Sequence, residues 1–255
     1  MKAAYYQQDI VWEDTEANLE KIRSAAEFLD PQTELFILPE MFHSGFTMRP
    51  DKVAEPMDGR VTAFMRETAS TNDITLIGSA VIQEGGKYFN RLLMVSPDGK
   101  VEKYDKRHLF SVGGEDKNYR PGKEKLISVV KDIRVLPLIC YDLRFPVWSR
   151  WQKQNQYDLL IYIANWPASR IEVWKTLLKA RAIENQCYVI GVNRVGKDET
   201  IVYSGDSMAI DPKGRIISSA GGEEGVFYAD IDIDDLKEFR KKFPVWKDAD
   251  DFRII

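Results

Sequence analysis

Short apolar segments recur along the chain and predict strands that are buried on both faces. Residues 35–38, 135–139, 158–164 and 187–192 are such segments. Between them, apolar residues at three- and four-residue spacing predict amphipathic helices, most clearly over residues 19–29. This alternation of strand and helix predicts an α/β layered fold.

Two regions instead carry strands joined by tight turns. Residues 74–106 contain the turns Glu84-Gly85-Gly86 and Pro97-Asp98-Gly99-Lys100, which predict a meander of antiparallel strands that ends at Lys106. Residues 207–231 predict a second meander, followed by a final helix over 234–242. We expect a single domain over residues 1–255, because no segment has the composition of a linker.

Composition and charge exclude several classes of function. Hydrophobic residues make up 44% and charged residues 30% of the chain, and the formal net charge is −4. Such a chain has no overall basic field, so nucleic acid is not an expected partner. No apolar run approaches the roughly 18 residues that cross a bilayer, and the N-terminus lacks a signal pattern. We expect a cytoplasmic protein that does not contact membranes.

The cysteine and histidine content argues against a disulfide framework or a metal site. The chain has two cysteines and two histidines, with neither Cys-x-x-Cys nor His-x-x-x-His spacing. We therefore expect chemistry from side chains alone, with no cofactor and no metal.

Three reactive side chains follow predicted strands: Glu40, Lys106 and Cys140. Ligand sites in α/β sheets form at the carboxyl ends of strands, so these groups could meet. A lysine beside the thiol would lower its pKa from about 8.5, and Glu40 could act as general base. Lys106 and the backbone N–H of Tyr141 could stabilise an oxyanion, one such donor contributing about 10²–10³ in rate.

Each of these residues also has an ordinary structural interpretation. A cysteine after an apolar run is commonly a small buried hydrophobic residue, and Cys187 is interpreted in this way. Glu40 and Lys106, taken singly, could be solvated surface charges. Spacing alone does not decide between the two interpretations.

Three segments resemble the signature segments of the nitrilase, or carbon–nitrogen hydrolase, superfamily: 38–42, 104–110 and 139–146. They also occur in that superfamily's chain order of Glu, Lys and Cys. The resemblance implies an α-β-β-α sandwich with mixed sheets, a catalytic Glu-Lys-Cys triad, no cofactor, and homodimers or larger homo-oligomers. It also implies a second glutamate after the lysine. Glu115 fits this role best, with Glu102 and Glu124 as alternatives.

Segments 41–48, 165–168 and 181–186 are similar to the bacterial omega-amidase branch of that superfamily. This resemblance implies hydrolysis of the terminal amide of small 2-oxo acid amides, such as 2-oxoglutaramate and 2-oxosuccinamate. The reaction would pass through a thioester on Cys140 and release a dicarboxylate and ammonia.

A substrate of this kind needs a pocket with a donor for its remote carboxylate. Arg144 is the first candidate because a guanidinium pairs a carboxylate bidentately, although it could instead pair with Asp142 or Glu184. The loop 41–48 could line the pocket. The other candidates for its wall are Phe42, His108, Tyr119, Tyr141, Asn165 and Trp166. Trp166 could equally pack in the core, and His108 is expected to give hydrogen-bonding support and no more.

Two other functions stay open at this point. The triad does not distinguish an amide from a nitrile, an N-carbamoyl compound or a deaminated-peptide amide, since the same thiol attack serves all of them. A non-catalytic binding module on the same fold is a more remote alternative.

Overall fold

A computed structural model describes residues 1–254. Its strands, in chain order, are β1 (Lys2–Gln7), β2 (Thr33–Ile37), β3 (Thr75–Glu84), β4 (Lys87–Val95), β5 (Val101–Asp105), β6 (Ser128–Val130), β7 (Ile133–Ile139), β8 (Leu159–Ile163), β9 (Tyr188–Val192), β10 (Val195–Lys197), β11 (Val202–Ser204), β12 (Met208–Ile210), β13 (Ile216–Ser219) and β14 (Gly225–Asp230). Its α-helices are α1 (Thr15–Glu27), α2 (Pro50–Val53), α3 (Arg60–Asn72), α4 (Glu115–Asn118), α5 (Pro146–Ser149), α6 (Ile171–Asn185) and α7 (Ile233–Lys242). None of the helices within residues 1–254 is long and apolar enough to cross a membrane.

Most strands belong to two mixed sheets of six strands each. The first has the order β14-β1-β2-β3-β4-β5 and the second the order β13-β12-β9-β8-β7-β6. In the first sheet β1, β2 and β3 are parallel and the outer pairs are antiparallel. The second sheet repeats this arrangement around β7, β8 and β9. The predicted mixed sheets are thus present, and β10 and β11 form a separate hairpin.

The period of two along β1 explains how the layers stack. Ala3 and Tyr5 point into the central core, which also contains Val135 of the second sheet. The alternate residues Ala4 and Tyr6 pack in a second core with residues of α1 and α3. Helix α6 covers the outer face of the second sheet. The layer order is therefore helix, sheet, sheet, helix, as predicted.

The second predicted meander is wrong in its last strand. β12 and β13 form an antiparallel pair, but β14 crosses to the first sheet and pairs antiparallel with β1. Phe227 on β14 packs against the central core, whereas Val226 and Tyr228 pack against the core under α1 and α3. β14 thus has apolar side chains on both faces, as expected for a strand of a sheet that lies between two layers. By pairing with β1, it also covers what would otherwise be an open edge of the first sheet.

Candidate active site

Strand direction brings Glu40 and Lys106 to the same edge of the first sheet. β2 is parallel to β3, and β5 is related to β3 by two successive antiparallel pairings, so β2 and β5 run in the same direction. Glu40 follows the end of β2, and Lys106 follows the last residue of β5. Cys140 follows β7 and belongs to the facing sheet. The three side chains therefore approach one another from both sheets of the sandwich.

The ammonium of Lys106 lies between two carboxylates. Its Nζ is 2.8 Å from Glu40 Oε1 and 3.0 and 2.9 Å from the two carboxylate oxygens of Glu115. All three side chains have 0% exposure. The Lys106 ammonium thus occupies the position between the carboxylates where a metal ion could otherwise bind. No metal-binding cluster of His, Cys, Asp or Glu occurs within residues 1–254.

Glu115 reaches Lys106 because the loop that carries it is closed at its base. Gly122 N–H donates to the carbonyl oxygen of Lys106 at 3.0 Å. A Cβ on Gly122 would lie 2.2 Å from the Asp105 carbonyl oxygen, so only glycine permits this approach. The alternatives lie elsewhere: Glu102 accepts from Ser128 Oγ, and Glu124 is exposed.

Asn90, on β4, holds the two carboxylates together and was missed by the sequence analysis. Its Nδ2 donates to Glu40 Oε1 at 2.8 Å and to Glu115 Oε1 at 3.1 Å. Its Oδ1 accepts from Ser79 Oγ at 2.9 Å. The sequence does contain a signal for such a role. Asn90 is a polar residue just before the apolar run 92–95 of a strand, and a buried amide needs hydrogen-bond partners.

Asn165, directly after β8 of the second sheet, fixes Glu40 from the opposite side. Its backbone N–H donates to Glu40 Oε2 at 2.9 Å, and its Nδ2 donates to the Glu40 carbonyl oxygen at 2.6 Å. Glu40 therefore accepts hydrogen bonds from both sheets. These contacts leave the carboxylate little freedom to change its position.

The environment raises the pKa values of three of these groups. Burial alone would lower the pKa of Lys106, but Glu115 and Glu40 outweigh it and hold that pKa above its usual value. Burial and then Glu40 raise the pKa of the Cys140 thiol, and Lys106 opposes them only in part. Burial also raises the pKa of Glu115. Lys106 thus lowers the pKa of the thiol as expected, but burial and Glu40 outweigh it, so Cys140 needs a base to become a nucleophile.

The backbone turns sharply at Cys140. Its φ is +44°, and the residue begins a 3₁₀ helix over Cys140–Arg144. Non-glycine residues rarely adopt positive φ, and the strain costs on the order of 1–3 kcal/mol. The turn moves the thiol out of the strand and into the pocket.

Buried Asp142 holds this turn against the segment that follows β5. Its Oδ2 accepts from Ile139 N–H at 3.1 Å and from the Tyr104 hydroxyl at 2.7 Å. Its Oδ1 accepts from His108 N–H and Nδ1. His108 therefore supports the turn, as expected. Its predicted place in the pocket wall is wrong, because its ring is held against Asp142 and does not line the cavity.

Cys140 opens into a narrow cavity. The space open to the centre of a water molecule is about 40 Å³, which suits a small substrate. The lining residues are Phe46, Phe110, Cys140, Tyr141, Arg144, Asn165, Trp166, Pro167, Arg170, Ile201 and Tyr203. Of the predicted pocket residues, Tyr141, Arg144, Asn165 and Trp166 are among them. Phe46 comes from the loop 41–48 that was expected to contribute.

Two predicted pocket residues lie behind the cavity and not in its wall. Phe42 packs in the core under α1 and α3, over Gly78, where a Cβ would lie 2.6 Å from its ring. Tyr119 is also fully buried, and its hydroxyl donates to the Thr47 carbonyl oxygen at 2.7 Å. Phe42 lies in the loop after β2 and Tyr119 directly follows α4, and both rings turn toward the core, a direction that the sequence does not specify.

Another part of the cavity wall consists of residues that no sequence pattern indicated. Ile201 and Tyr203 come from the β10–β11 hairpin, which carries no motif that points to a site. Arg170 lies at the end of a 3₁₀ turn before α6, directly after the motif that contains Asn165 and Trp166. Its position next to that motif was the only available signal.

Arg144 faces the cavity and does not form the framework pairs considered above. Its guanidinium lies 5.2 Å from the ring centroid of Trp166. Asp142 bonds His108 and Tyr104, whereas Glu184 pairs with Arg181 and Arg150. Cys187 lies fully buried in the central core, as predicted.

The fold and the cluster at Cys140 agree with a family comparison. The family model for carbon-nitrogen hydrolases matches residues 2–241. The chain therefore belongs to the carbon–nitrogen hydrolase family, and the resemblance seen in its motifs is confirmed. The protein is an enzyme of this class.

Two named relatives and one solved structure indicate which members of the family this chain is similar to. The omega-amidase YafV of Escherichia coli (strain K12) is 43% identical over 100% of this chain and 98% of its own length. The 2-oxoglutaramate amidase of Bacillus subtilis (strain 168) is 32% identical over 95% of each chain. The crystal structure of the CN-hydrolase superfamily protein XC1258 from Xanthomonas campestris, with an arsenic adduct in its active site, has a TM-score of 0.97 at 40% identity, covering 100% of this chain and 99% of that one. The predicted sandwich fold is thereby confirmed.

Proposed function

We propose that this protein is an omega-amidase that hydrolyses the terminal amide of small 2-oxo acid amides, such as 2-oxoglutaramate and 2-oxosuccinamate. The observation that carries the proposal is the position of Cys140, which lines a narrow pocket beside the buried cluster of Glu40, Lys106 and Glu115. Relatives that are named omega-amidase and 2-oxoglutaramate amidase support the choice of substrate.

In the first half of the proposed reaction, Cys140 Sγ attacks the amide carbon and its proton passes to Glu40. This transfer is needed because burial and Glu40 raise the pKa of the thiol. The oxyanion that forms is stabilised by the Lys106 ammonium and by the backbone N–H of Tyr141. Glu40 then returns the proton to the nitrogen, the C–N bond breaks, and ammonia leaves a thioester on Cys140.

In the second half, water attacks the thioester carbon and Glu40 accepts a proton from that water. The C–S bond breaks, the thiol is reprotonated, and the carboxylic acid product is released. Glu40 thus acts twice as base and twice as acid. Its contacts with Asn90, Lys106 and Asn165 keep its carboxylate in place through both halves.

Lys106 and Glu115 supply a fixed electrostatic environment in this mechanism. The two carboxylates hold the pKa of Lys106 above its usual value, so the side chain stays an ammonium throughout the reaction. An ammonium that is already oriented needs no reorganisation when negative charge develops on the substrate oxygen. Glu115 balances this charge and joins Lys106 to the pocket wall, because its Oε2 accepts from Phe110 N–H at 2.6 Å.

The deciding experiment is ammonia release by wild type, Cys140→Ala and Cys140→Ser with 2-oxoglutaramate, a simple nitrile and an N-carbamoyl amino acid. We expect wild type to favour 2-oxoglutaramate, and both variants to lose turnover while their circular dichroism spectra stay unchanged. Turnover by Cys140→Ala would contradict the mechanism, and a preference for the nitrile or carbamoyl compound would contradict the substrate. Electrophile labelling of Cys140, with buried Cys187 spared, would argue against a non-catalytic binding module.

We further propose that the enzyme is cytoplasmic and, from the family resemblance, that it works as a homodimer or larger homo-oligomer on a small-molecule substrate, with no cofactor. Light scattering coupled to size-exclusion chromatography measures the assembly. A monomer at micromolar concentration that retains full activity would contradict this proposal.

A further inference from the structure

The cavity beside Cys140 contains two guanidinium groups. Arg144 and Arg170 both line it. Within residues 1–254, neither side chain has a carboxylate within 4.0 Å or donates a hydrogen bond, although both are partly buried. Other partly or fully buried arginines do have such partners: Arg91 pairs with Asp105, and Arg240 with Asp158.

Trp166 and Phe110 hold the two arginines in place without using their donors. The Arg144 guanidinium lies over the Trp166 ring, and that of Arg170 lies 5.4 Å from the ring centroid of Phe110. The indole Nε1–H of Trp166 donates to the Arg170 carbonyl oxygen at 2.9 Å. One tryptophan therefore supports both arginines, by its ring face and by its N–H. Contacts with ring faces orient a guanidinium and leave its N–H groups free.

Two cations that line the same small cavity repel each other unless an anion lies between them. Each guanidinium presents N–H donors in a planar fork that fits a carboxylate. The 2-oxo acid group has three acceptor oxygens, two on the carboxylate and one on the neighbouring carbonyl. A single arginine cannot bond all three in the bidentate geometry, whereas two arginines can divide them.

We propose that Arg170 is a second specificity-determining residue and that Arg144 and Arg170 together clamp the anionic end of the substrate. This inference rests on the proposed amidase function and defines its substrate class as monoamides of short dicarboxylic acids. Neutral amides would leave two unpaired cations in the cavity. The clamp would therefore disfavour neutral amides and favour substrates that carry an anionic group.

The clamp also gives the cavity a direction. Cationic Arg144 and Arg170 attract the remote carboxylate, while the amide end meets Cys140 and the carboxylates of Glu40 and Glu115. Hydrolysis converts this neutral amide into a second carboxylate next to Glu40 and Glu115, whose two negative charges exceed the single positive charge of Lys106 and repel the product. The same arrangement that orients the substrate thus favours release of the product.

The test uses Arg170→Gln, Arg144→Gln and Arg170→Lys in the full chain, with 2-oxoglutaramate and the neutral amide pentanamide as substrates. Truncating one partner of a buried charged hydrogen bond commonly costs about 100-fold in binding. We expect each Gln variant to raise the KM for 2-oxoglutaramate by about that factor, with kcat/KM for pentanamide unchanged or higher. Arg170→Lys should recover part of the loss. Arg66→Gln, on the exposed face of α3, removes the same charge far from the cavity and should match wild type.

Binding to the inactive Cys140→Ala protein separates this inference from the proposed function. We expect calorimetry to give about 100-fold weaker 2-oxoglutaramate binding when Arg170→Gln is added. Unchanged binding or KM in Arg170→Gln, or equal losses on both substrates, would overturn the clamp even if wild type is an active omega-amidase. Strong binding that Arg170→Gln weakens, without ammonia release by wild type, would overturn the function and leave the clamp standing.

Discussion

The charged groups around Cys140 form two regions that differ in how completely they are bonded. In the inner region, Glu40, Lys106 and Glu115 are inaccessible to solvent and joined by hydrogen bonds of 2.8 to 3.0 Å. In the outer region, Arg144 and Arg170 are partly exposed, and their side-chain N–H groups have no acceptor among residues 1–254. The inner region is complete before substrate arrives, whereas the outer region is completed by the substrate.

This difference separates the energetic roles of the two regions. A preorganised cluster stabilises developing charge without reorganising, so changes in it should alter kcat. The same cluster is part of the buried core, so changes should also alter the free energy of unfolding. Changes in the outer region should alter KM and leave stability nearly unchanged. Four substitutions test this division, in order of decreasing expected effect.

Lys106→Met should have the largest effect. It leaves the carboxylates of Glu40 and Glu115 facing each other in the core without a cation. Breaking a buried ion pair costs about 3–5 kcal/mol, and loss of an oxyanion donor costs about 10²–10³ in kcat. Urea denaturation and ammonia release measure the two effects. Lys103→Met on the preceding strand β5, whose ammonium pairs with Glu84 near the surface, is the matched control and should change neither by much.

Asn90→Asp tests whether the amide positions the two carboxylates or only fills space. The change replaces a donor by a third carboxylate beside Glu40 and Glu115, and nearby negative charge raises the pKa of a carboxyl group. We expect kcat to fall about 100-fold, KM to change little, and the acidic limb of the pH–rate profile to move to higher pH. An unshifted limb would indicate a purely structural role. Asn72→Asp, at the end of α3, should leave the profile unchanged.

His43, in the loop after β2 that also carries Glu40, makes the free energy of unfolding depend on pH. Burial and then Arg60 lower the pKa of His43 to about 3. Its Nε2 accepts from Val81 N–H, so the neutral ring carries its proton on Nδ1, toward Thr15. Between about pH 6.5 and 3 the unfolded chain binds a proton here that the folded chain does not, and the free energy of unfolding falls as the pH falls.

The expected slope from His43 is about 1.4 kcal/mol for each pH unit below 6.5. Urea denaturation from pH 7 to pH 5 measures it. His43→Gln should reduce the slope by that amount, whereas Thr15→Val, which removes the facing hydroxyl but no titratable group, should retain it. Equal slopes in wild type and His43→Gln would contradict the assignment.

Glu199→Gln should have the smallest effect. Glu199 lies in the β10–β11 hairpin, whose Ile201 and Tyr203 line the outer wall, and pairs with Arg49 at 3.5 Å. Glu199 is largely exposed and Arg49 partly exposed, and such pairs contribute about 0–1 kcal/mol. We expect a change in Tm of no more than about 1–2 °C and less than a twofold change in KM. A larger change in KM would mean that this ion pair holds the hairpin over the pocket.

Features encoded in a short segment of the sequence were predicted correctly, whereas side-chain directions and strand pairings were not. The strand ends at Glu40, Lys106 and Cys140 could be located because each lies in a short segment with its own pattern. Phe42 was assigned to the pocket wall although it packs over Gly78, because the direction of a side chain after a strand depends on the local backbone turn. The path of β14 was also missed, since strand pairing depends on which edge is open and not on the strand's own sequence.

Apolar periodicity and motif composition are local properties, so they were enough to predict the family, the alternation of strands and helices, and the reactive groups. The tertiary structure decided that Asn90 bridges the two carboxylates and that Arg170 joins Arg144 in one cavity. It also decided the protonation of Cys140: Lys106 lowers the pKa of the thiol, but burial and Glu40 together raise it more. Burial and the distances between charges arise only when both sheets pack together, so no single segment of the chain encodes them.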